Sequence, residues 1–306
     1  MTIKVFGHKS PDTDSTGAPI IWAWYLNEVK GQSAEAVLLG EPNTEAAFLL
    51  KRWDLPKPAL LGDLAAGTPV VIVDTNNPAE LPANINDADI LAIIDHHKLV
   101  GGLETKGPID ITIRPLACTA TVMHQLMGDH AAQMPDWVKA TMLTCILSDT
   151  LEFRSPTTTP TDKALAEALA ADLGLDIPSY AAEMFAAKSD VSAFSEAELL
   201  RMDSKEYAVE GVQLRVSVLE TTSPASVLDR KAALMAAMPG VAAEDSADEV
   251  LLFVVDILNE EATLLVPNDT VRRIAKASFG ADAKGDSVVL PGIMSRKKQI
   301  IPNLKM

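Results

Sequence analysis

The chain has 306 residues, of which 48% are hydrophobic and 22% charged, a balance that excludes an intrinsically disordered protein. A formal net charge of −16, from 42 acidic and 26 basic side chains, disfavours nucleic acid as a partner, so an anionic substrate would need metal ions or a local group of Lys and Arg. No hydrophobic run approaches the roughly 20 residues of a membrane span, and no signal peptide is recognisable, so we predict a cytoplasmic protein without a membrane partner.

In the first part of the chain, short hydrophobic runs alternate with helical patterns. The runs end in polar residues and cover residues 3–6, 36–39, 70–73, 90–94 and 111–113. Continuous runs of this length are typical of strands buried on both faces. Helical patterns lie between them, at 16–29 and 44–52. This alternation predicts an α/β fold with a parallel sheet.

Residues 118 to about 187 have mostly helical patterns, and one helix ends at Gly174. The polar stretch 188–195 lacks periodicity and is predicted to be a hinge linker. The elements predicted after it are helix 195–210, strand 212–220, helix 225–238, a strand pair over 250–266, helix 270–279 and strand 287–290. We therefore predict a first domain over 1–187 and a smaller α/β domain over 196–306.

Carboxylates and histidines gather where the predicted strands of the first domain end. His8, Asp12 and Asp14 follow the first strand, Asp74 follows the third, and Asp95, His96 and His97 end the next one. Asp149, at the end of a helical run, can join them. In a parallel sheet, residues just past the carboxyl ends of strands converge in one crevice. We expect these side chains to meet there.

Divalent metal ions would explain such a group of carboxylates. Ionised carboxylates a few ångström apart raise one another's pKa unless cations lie between them. Six or seven side chains can hold two ions that share a bridging carboxylate. The ligands are carboxylates with a minority of imidazoles, and Cys118 and Cys145 are predicted to be reduced core thiols. The set therefore favours Mn²⁺, Co²⁺ or Mg²⁺ over structural zinc.

Each motif also has an ordinary structural interpretation. A single Asp at a strand end is usually a helix cap or a turn residue, and a basic segment such as Arg296–Lys298 is usually a solvated surface. Adjacent histidines at the end of a hydrophobic strand, as in Asp95-His96-His97, have little structural use. The motifs taken together therefore favour a metal site.

These motifs resemble those of the DHH phosphoesterase superfamily. The four matching segments are GHKSPDTDS at 7–15, VDTN at 73–76, DHH at 95–97 and SDT at 148–150. Near the C-terminus, SRKKQ at 295–299, together with the predicted helical SKEY at 204–207, is similar to the family II inorganic pyrophosphatases. The resemblance covers nearly the whole chain and implies a manganese-dependent enzyme whose active site lies in a cleft between the two domains.

The resemblance also implies a role for each site residue. His8, Asp12 and Asp74 would hold one metal ion. The second ion would be held by Asp14, Asp74, His96 and Asp149, with Asp74 bridging. His97 would donate a hydrogen bond or a proton to the substrate, and Asp95 would orient the histidines. Lys205, Arg296 and Lys297 would bind phosphate, whereas Lys298 would point away if its segment is a strand.

The implied reaction is the hydrolysis of inorganic pyrophosphate to two phosphates by a metal-bridged hydroxide. The expected cofactors are two Mn²⁺ (or Co²⁺) ions per subunit, with additional Mg²⁺ arriving with the substrate. A Lys/Arg clamp from the second domain would meet the charge of the leaving phosphate. The hinge at 188–195 would close the domains on the substrate, and the resemblance implies a homodimer.

Two alternatives remain open at this point. One is another DHH phosphoesterase that cleaves short oligonucleotides or polyphosphate, although such relatives usually carry a Gly-rich motif in the second domain that is absent after residue 195. The other is a metal-binding or nucleotide-sensing module without activity, which would be expected to lack a ligand or a clamp residue. The segment 114–119 predicts only the start of a helix.

Overall fold

The computed structural model describes residues 1–189 and 191–306, and these divide into two compact units, Met1–Met184 and Phe185–Met306. The predicted linker 188–195 includes Asp190, which lies outside the described residues, and the hinge stays a prediction. Among the described residues, no helix combines the length and the hydrophobicity needed to cross a membrane.

The first unit alternates strands and helices and then continues as helices. Its strands are β1 Ile3–Phe6, β2 Ala34–Leu38, β3 Ala59–Leu60, β4 Pro69–Val73, β5 Asp89–Asp95 and β6 Asp110–Ile113. Its helices are α1 Thr13–Trp24, α2 Thr44–Arg52, α3 Thr119–Met127, α4 Asp136–Thr150 and α5 Pro160–Leu173, and α6 Ile177–Ser189 crosses the boundary between the units. The predicted parallel α/β arrangement is therefore confirmed.

The six strands form one parallel sheet in the order β3-β2-β1-β4-β5-β6. The order reverses between β1 and β4. The chain adds β2 and β3 on one side of β1 and then adds β4, β5 and β6 on its other side. Loops that leave the carboxyl ends of the strands diverge at such a switch point and open a crevice, which is the usual ligand site of this architecture.

Helices α1 and α4 approach each other closely above this sheet. A Cβ atom on Gly17 of α1 would lie 2.4 Å from Sγ of Cys145 in α4, so only glycine permits this approach. Thr141, Cys145 and Leu147 of α4 are all fully buried. Asp149, at the end of α4, is thereby carried toward the N-terminal end of α1, where Asp14 lies.

The second unit is a smaller mixed α/β domain. Its helices are α7 Glu196–Met202, α8 Pro224–Leu228, α9 Lys231–Glu244 and α10 Asp269–Phe279. Its strands are β7 Ser204–Val209, β8 Val212–Thr221, β9 Glu249–Asp256, β10 Glu261–Leu265 and β11 Ser287–Pro291, in the sheet order β11-β10-β9-β8-β7. Only β8 and β9 pair in parallel. Residues Val250–Val255 of β9 are buried, as expected of a central strand covered on both faces.

The structure corrects the secondary structure predicted around Lys205. The helix expected over 195–210 ends at Met202, and Lys205 lies on β7, paired with Val216 of β8. A two-residue turn at Glu210 and Gly211, both with positive φ, closes this hairpin. Pairing with β8 therefore outweighs the helical preference of the Lys, Glu and Ala residues in this segment.

Two other predicted elements differ in the structure. The SRKKQ segment is not a strand, because Arg296–Ile300 forms a single helical turn capped by the Ser295 side chain, which accepts a hydrogen bond from the amide of Lys298. The argument that Lys298 alternates faces with Lys297 therefore does not apply. The helix predicted over 225–238 is two helices, α8 and α9.

Candidate active site

The predicted ligands of the first unit converge at the switch point between β1 and β4. His8, Asp12 and Asp14 lie in the loop and helix after β1, and Asp74 directly follows β4. Three groups bring ligand atoms within 4.8 Å of one another: His8, Asp12 and Asp74; Asp14, His96 and Asp149; and Asp74, His96 and His97.

Asp12 serves both the fold and the candidate site. Its Oδ1 atom caps α1 by accepting a hydrogen bond from the amide of Ser15, at 2.9 Å. Its Oδ2 atom lies 3.5 Å from Nε2 of His8. Asp12 can therefore be both a helix cap and a metal ligand, because Oδ1 caps α1 and Oδ2 faces His8.

Asp74 presents one oxygen to each of two histidines. Oδ2 lies 3.6 Å from Nε2 of His8, and Oδ1 lies 3.4 Å from Nε2 of His96. These separations are too long for good hydrogen bonds, and they fit pairs of atoms that each lie about 2.1 Å from a shared ion. Asp74 also has a positive φ of 58°, an uncommon conformation that is often found at functional sites.

Asp14 and Asp149 carry the clearest electrostatic sign of a cation site. Burial, followed by the charge of Asp74, raises the pKa of Asp14 to about 8. Burial and the charge of Asp14 likewise raise the pKa of Asp149 well above its ordinary value. The Oδ2 atom of Asp149 is shielded from solvent and has no hydrogen-bond partner among the described residues. A divalent cation would relieve both the repulsion and the missing contact.

The start of α3 also contacts these carboxylates, which the sequence did not indicate. The amide of Thr119 donates to Oδ2 of Asp14 at 2.6 Å, and the amide of Ala120 donates to Oδ1 at 3.3 Å. The hydroxyl of Thr119 donates to Oδ1 of Asp74 at 3.0 Å. The segment 114–119, for which the sequence predicts only a helix start, therefore places one backbone donor and one hydroxyl at the site, and Ala120 adds a second backbone donor.

His97 and His96 are oriented by different partners. Oδ1 of Asp95 lies 2.8 Å from Nδ1 of His97 and also accepts the amides of His96 and His97. Nδ1 of His96 lies 3.1 Å from the carbonyl oxygen of Leu116. Burial alone would raise the pKa of Asp95, but the hydrogen bond and the charge of His97 outweigh it and hold the pKa below its ordinary range. The side chain of Asp95 thus contacts the ring of His97, and the ring of His96 contacts a carbonyl.

Asn76 is a second residue whose role the sequence did not reveal. Its Nδ2 donates to Oδ2 of Asp95 at 2.6 Å and to the carbonyl of Lys98 at 3.0 Å, and its Oδ1 accepts the amide of Val100. Asn76 is 3% exposed. It therefore ties the loop after β4 to the loop after β5 and fixes the carboxylate that contacts His97.

The two cysteines lie beside the site without offering thiolate ligands. Cys118 and Cys145 are free thiols and both are buried. Burial, followed by the charge of Asp14, raises the pKa of each thiol well above its ordinary value. Neither is ionised near neutral pH, so the candidate ligand atoms are carboxylate oxygen and imidazole nitrogen. That donor set fits Mn²⁺.

In the second unit, Arg296 is held by Asp203. Its Nη2 atom lies 2.7 Å from Oδ1 of Asp203, and its Nη1 atom donates to the carbonyl oxygen of the same residue at 2.8 Å. Burial alone would lower the pKa of Arg296, but the charge of Asp203 outweighs it and the pKa is raised. Lys205 follows Asp203 by two residues on β7, and Lys297 is exposed on the turn that carries Arg296.

Family models match both parts of the chain. The N-terminal domain of the DHH family matches residues 2–150, and the DHHA2 domain matches residues 182–306. A Deinococcus radiodurans protein named "Probable manganese-dependent inorganic pyrophosphatase" is 41% identical over 99% of this chain and 98% of its own length. A Lactiplantibacillus plantarum protein of the same name is 35% identical over 98% of this chain and 96% of its own length.

Solved structures agree with these matches. A Methanococcus jannaschii structure assigned to the family II inorganic pyrophosphatases has a TM-score of 0.86 and 30% identity, covering 99% of this chain and 98% of its own. A Bacteroides fragilis exopolyphosphatase-related protein has a TM-score of 0.52 and 13% identity, covering 98% and 89% of the two chains, and shares the fold alone. The chain therefore belongs to the family II, manganese-dependent inorganic pyrophosphatases, built from a DHH and a DHHA2 domain.

Proposed function

We propose that this chain hydrolyses inorganic pyrophosphate to two phosphates at a pair of Mn²⁺ ions. The observation that carries the proposal is the placement of Asp74, whose two oxygens lie 3.6 and 3.4 Å from Nε2 of His8 and of His96. A carboxylate in that position can bridge two ions. His8 and Asp12 would complete one ligand set, and Asp14, His96 and Asp149 the other.

When bound, the two ions would lower the pKa of a water molecule by several units and offset the negative charge of the substrate. The protein's part is to hold the ligands with their oxygens turned inward. Burial and the neighbouring carboxylates raise the pKa values of Asp14 and Asp149, and a cation beside them would favour their charged forms. Extra Mg²⁺ bound with the substrate stays a prediction.

His97 is assigned to the substrate and not to an ion. Its Nδ1 atom lies 2.8 Å from Oδ1 of Asp95, so the other ring nitrogen, Nε2, is the one that would donate to a phosphate oxygen. Asp95 is ionised, since its pKa is held low, and it would stabilise the protonated ring. His97 would thereby act as hydrogen-bond donor or general acid toward the leaving phosphate.

Phosphate binding is assigned to Lys205, Arg296 and Lys297. A planar guanidinium can hold two phosphate oxygens at once, and Asp203 fixes the orientation of Arg296 through two contacts. In a chain with a net charge of −16, a local group of cations is needed to attract a polyanion. The active-site cleft between two domains, its closure on substrate, the homodimer and the cytoplasmic location stay predictions.

Phosphate release from pyrophosphate, measured with Mn²⁺, Co²⁺ and Mg²⁺ in turn, tests the proposal. Tripolyphosphate and a dinucleotide serve as competing substrates, because the alternative is a DHH phosphoesterase acting on polyphosphate or short oligonucleotides. We expect pyrophosphate to be preferred and Mn²⁺ or Co²⁺ to support the fastest turnover. Preference for the dinucleotide would contradict the proposal.

A further inference from the structure

We propose that Thr119 is a positioning residue of the metal centre, whose hydroxyl sets the orientation of Asp74 and thereby the affinity for the ion on the His96 side. This inference rests on the proposed function. Thr119 is fully buried at the first position of α3, and its Oγ1 donates to Oδ1 of Asp74 at 3.0 Å.

A bridging carboxylate needs a fixed rotation about its last bond. The terminal torsion of Asp is soft, so packing alone would let the two oxygens of Asp74 exchange or tilt. The hydrogen bond from Thr119 reaches only Oδ1, the oxygen that lies 3.4 Å from Nε2 of His96. It therefore leaves Oδ2 directed toward His8.

The same turn of α3 holds a second carboxylate of the site. The amides of Thr119 and Ala120 donate to the two oxygens of Asp14, at 2.6 and 3.3 Å. Amides at the start of a helix attract negative charge, which favours the ionised form that a metal ion requires. Asp14 belongs to the same ligand group as His96 and Asp149. Both contacts of Thr119 should therefore affect the binding of the ion on the His96 side more than the binding of the ion on the His8 side.

The effect should be selective for that ion. Loss of a side chain that orients a metal ligand typically weakens metal binding about 10- to 100-fold. Because the hydroxyl of Thr119 contacts the Asp74 oxygen on the His96 side, we expect the loss in affinity to fall on one of two binding steps. The step that depends on His8 and Asp12 should change little.

The test is Mn²⁺ titration of the metal-stripped full chain, followed by electron paramagnetic resonance of free Mn²⁺ and by calorimetry. Thr119→Val removes the hydroxyl and keeps the volume. Thr121→Val is the matched control, because Thr121 is fully buried on the same helix and its hydroxyl has no hydrogen-bond partner among the described residues. Thr119→Ser restores a hydroxyl, and Thr119→Ala replaces the valine variant if that variant does not fold.

The wild type should bind two ions. Thr119→Val should weaken one step 10- to 100-fold, Thr121→Val should match the wild type, and Thr119→Ser should recover most of the lost affinity. Wild-type affinity for both ions in Thr119→Val, or a serine variant as weak as the valine variant, would overturn the inference alone. A wild type that binds no Mn²⁺ would instead overturn the proposed function on which the inference rests.

Discussion

The two units of the chain hold their candidate functional residues in different ways. In the first unit, Asp14, Asp74 and Asp95 are at most 1% exposed and are fixed by buried hydrogen bonds. In the second unit, Arg296 is fixed by an ion pair with a half-exposed carboxylate, and Lys297 is exposed. Buried hydrogen bonds determine geometry closely, whereas an exposed charge such as that of Lys297 acts over distance and tolerates movement.

We propose that this difference corresponds to two parts of the reaction, metal binding by the first unit and substrate binding by the second. Cation ligands must lie within a few tenths of an ångström of fixed positions, so they belong on a rigid sheet edge. A phosphate group can be bound by the charge and the donor geometry of a few cationic side chains, and we propose that the strand with Lys205 and the single helical turn with Arg296 and Lys297 supply them. Changes in the first unit should therefore affect metal binding, and changes in the second should affect substrate binding.

Asp74→Asn should have the largest effect. Loss of the bridging charge should lower turnover about 10³-fold or more and release at least one Mn²⁺, because an amide cannot replace a carboxylate between two cations. Asp54→Asn is the control, since Asp54 also has a positive φ, 50°, which Asn tolerates. Phosphate release and metal content should be measured together. A ligand role for Asp74 is excluded if both variants keep wild-type turnover.

Arg296→Lys should raise the KM for pyrophosphate about 10-fold or more and leave Mn²⁺ affinity unchanged. Lysine carries the charge but cannot bind Asp203 and two phosphate oxygens in one plane. Arg201→Lys is matched, because Arg201 is also partly buried and paired, with Asp245 and Glu244. Steady-state kinetics and a metal titration separate the two effects. A variant that binds less Mn²⁺ at an unchanged KM would reverse the division proposed between the units.

The sequence predicts the sheet of the first unit and the convergence of its candidate ligand side chains well. Hydrophobic runs such as that ending at Val73 give the strands, and the parallel order alone brings residues after β1, β4 and β5 together. His8, Asp12, Asp74 and His96 could therefore be grouped without coordinates. The sequence could not show which oxygen of Asp74 faces His8 and which faces His96, because this depends on a side-chain torsion.

Contacts made by ordinary residues could not be predicted. Thr119 and Asn76 carry no chemistry that marks them, and their partners lie 45 and 19 residues away along the chain. Only the fold brings them into contact. The hairpin that carries Lys205 had a usable signal, Gly211 between two alternating runs, but the helical preference of the neighbouring residues obscured it.

Asn76→Ala should lower stability by about 3 kcal/mol, because it leaves the buried carboxylate of Asp95 and the partly buried backbone groups of Lys98 and Val100 without their partner. Asn86→Ala removes two comparable hydrogen bonds at an exposed position and should cost less than about 1 kcal/mol. Thermal melting of both variants measures the difference. Equal melting temperatures would show that the burial of Asn76 does not make its hydrogen bonds more stabilising than those of Asn86.

A more gradual effect, spread over several pH units, is a pH dependence of the metal-stripped protein. The pKa of Asp14 is raised from 3.8 to about 8 by burial and by Asp74, and that of Asp149 is raised as well. A group whose pKa is raised on folding contributes its full stability below its unfolded pKa, and that stability is lost as the pH rises through the folded pKa. The melting temperature of the metal-stripped chain should therefore fall by a few degrees between about pH 5 and pH 8. Asp95, whose pKa is lowered, acts only below about pH 4 and does not affect this window.

Bound Mn²⁺ should reverse this trend, because the ligands must lose their protons to bind it, so metal binding adds more stability as the pH rises. Asp14→Asn provides the control, since it removes one titrating carboxylate and should flatten the slope of the metal-stripped protein. Calorimetric scans at several pH values, with and without Mn²⁺, give both slopes. A metal-stripped chain that becomes more stable from pH 5 to pH 8 would mean that its buried carboxylates are already compensated by the protein. The metal ions would then not be needed to relieve their repulsion.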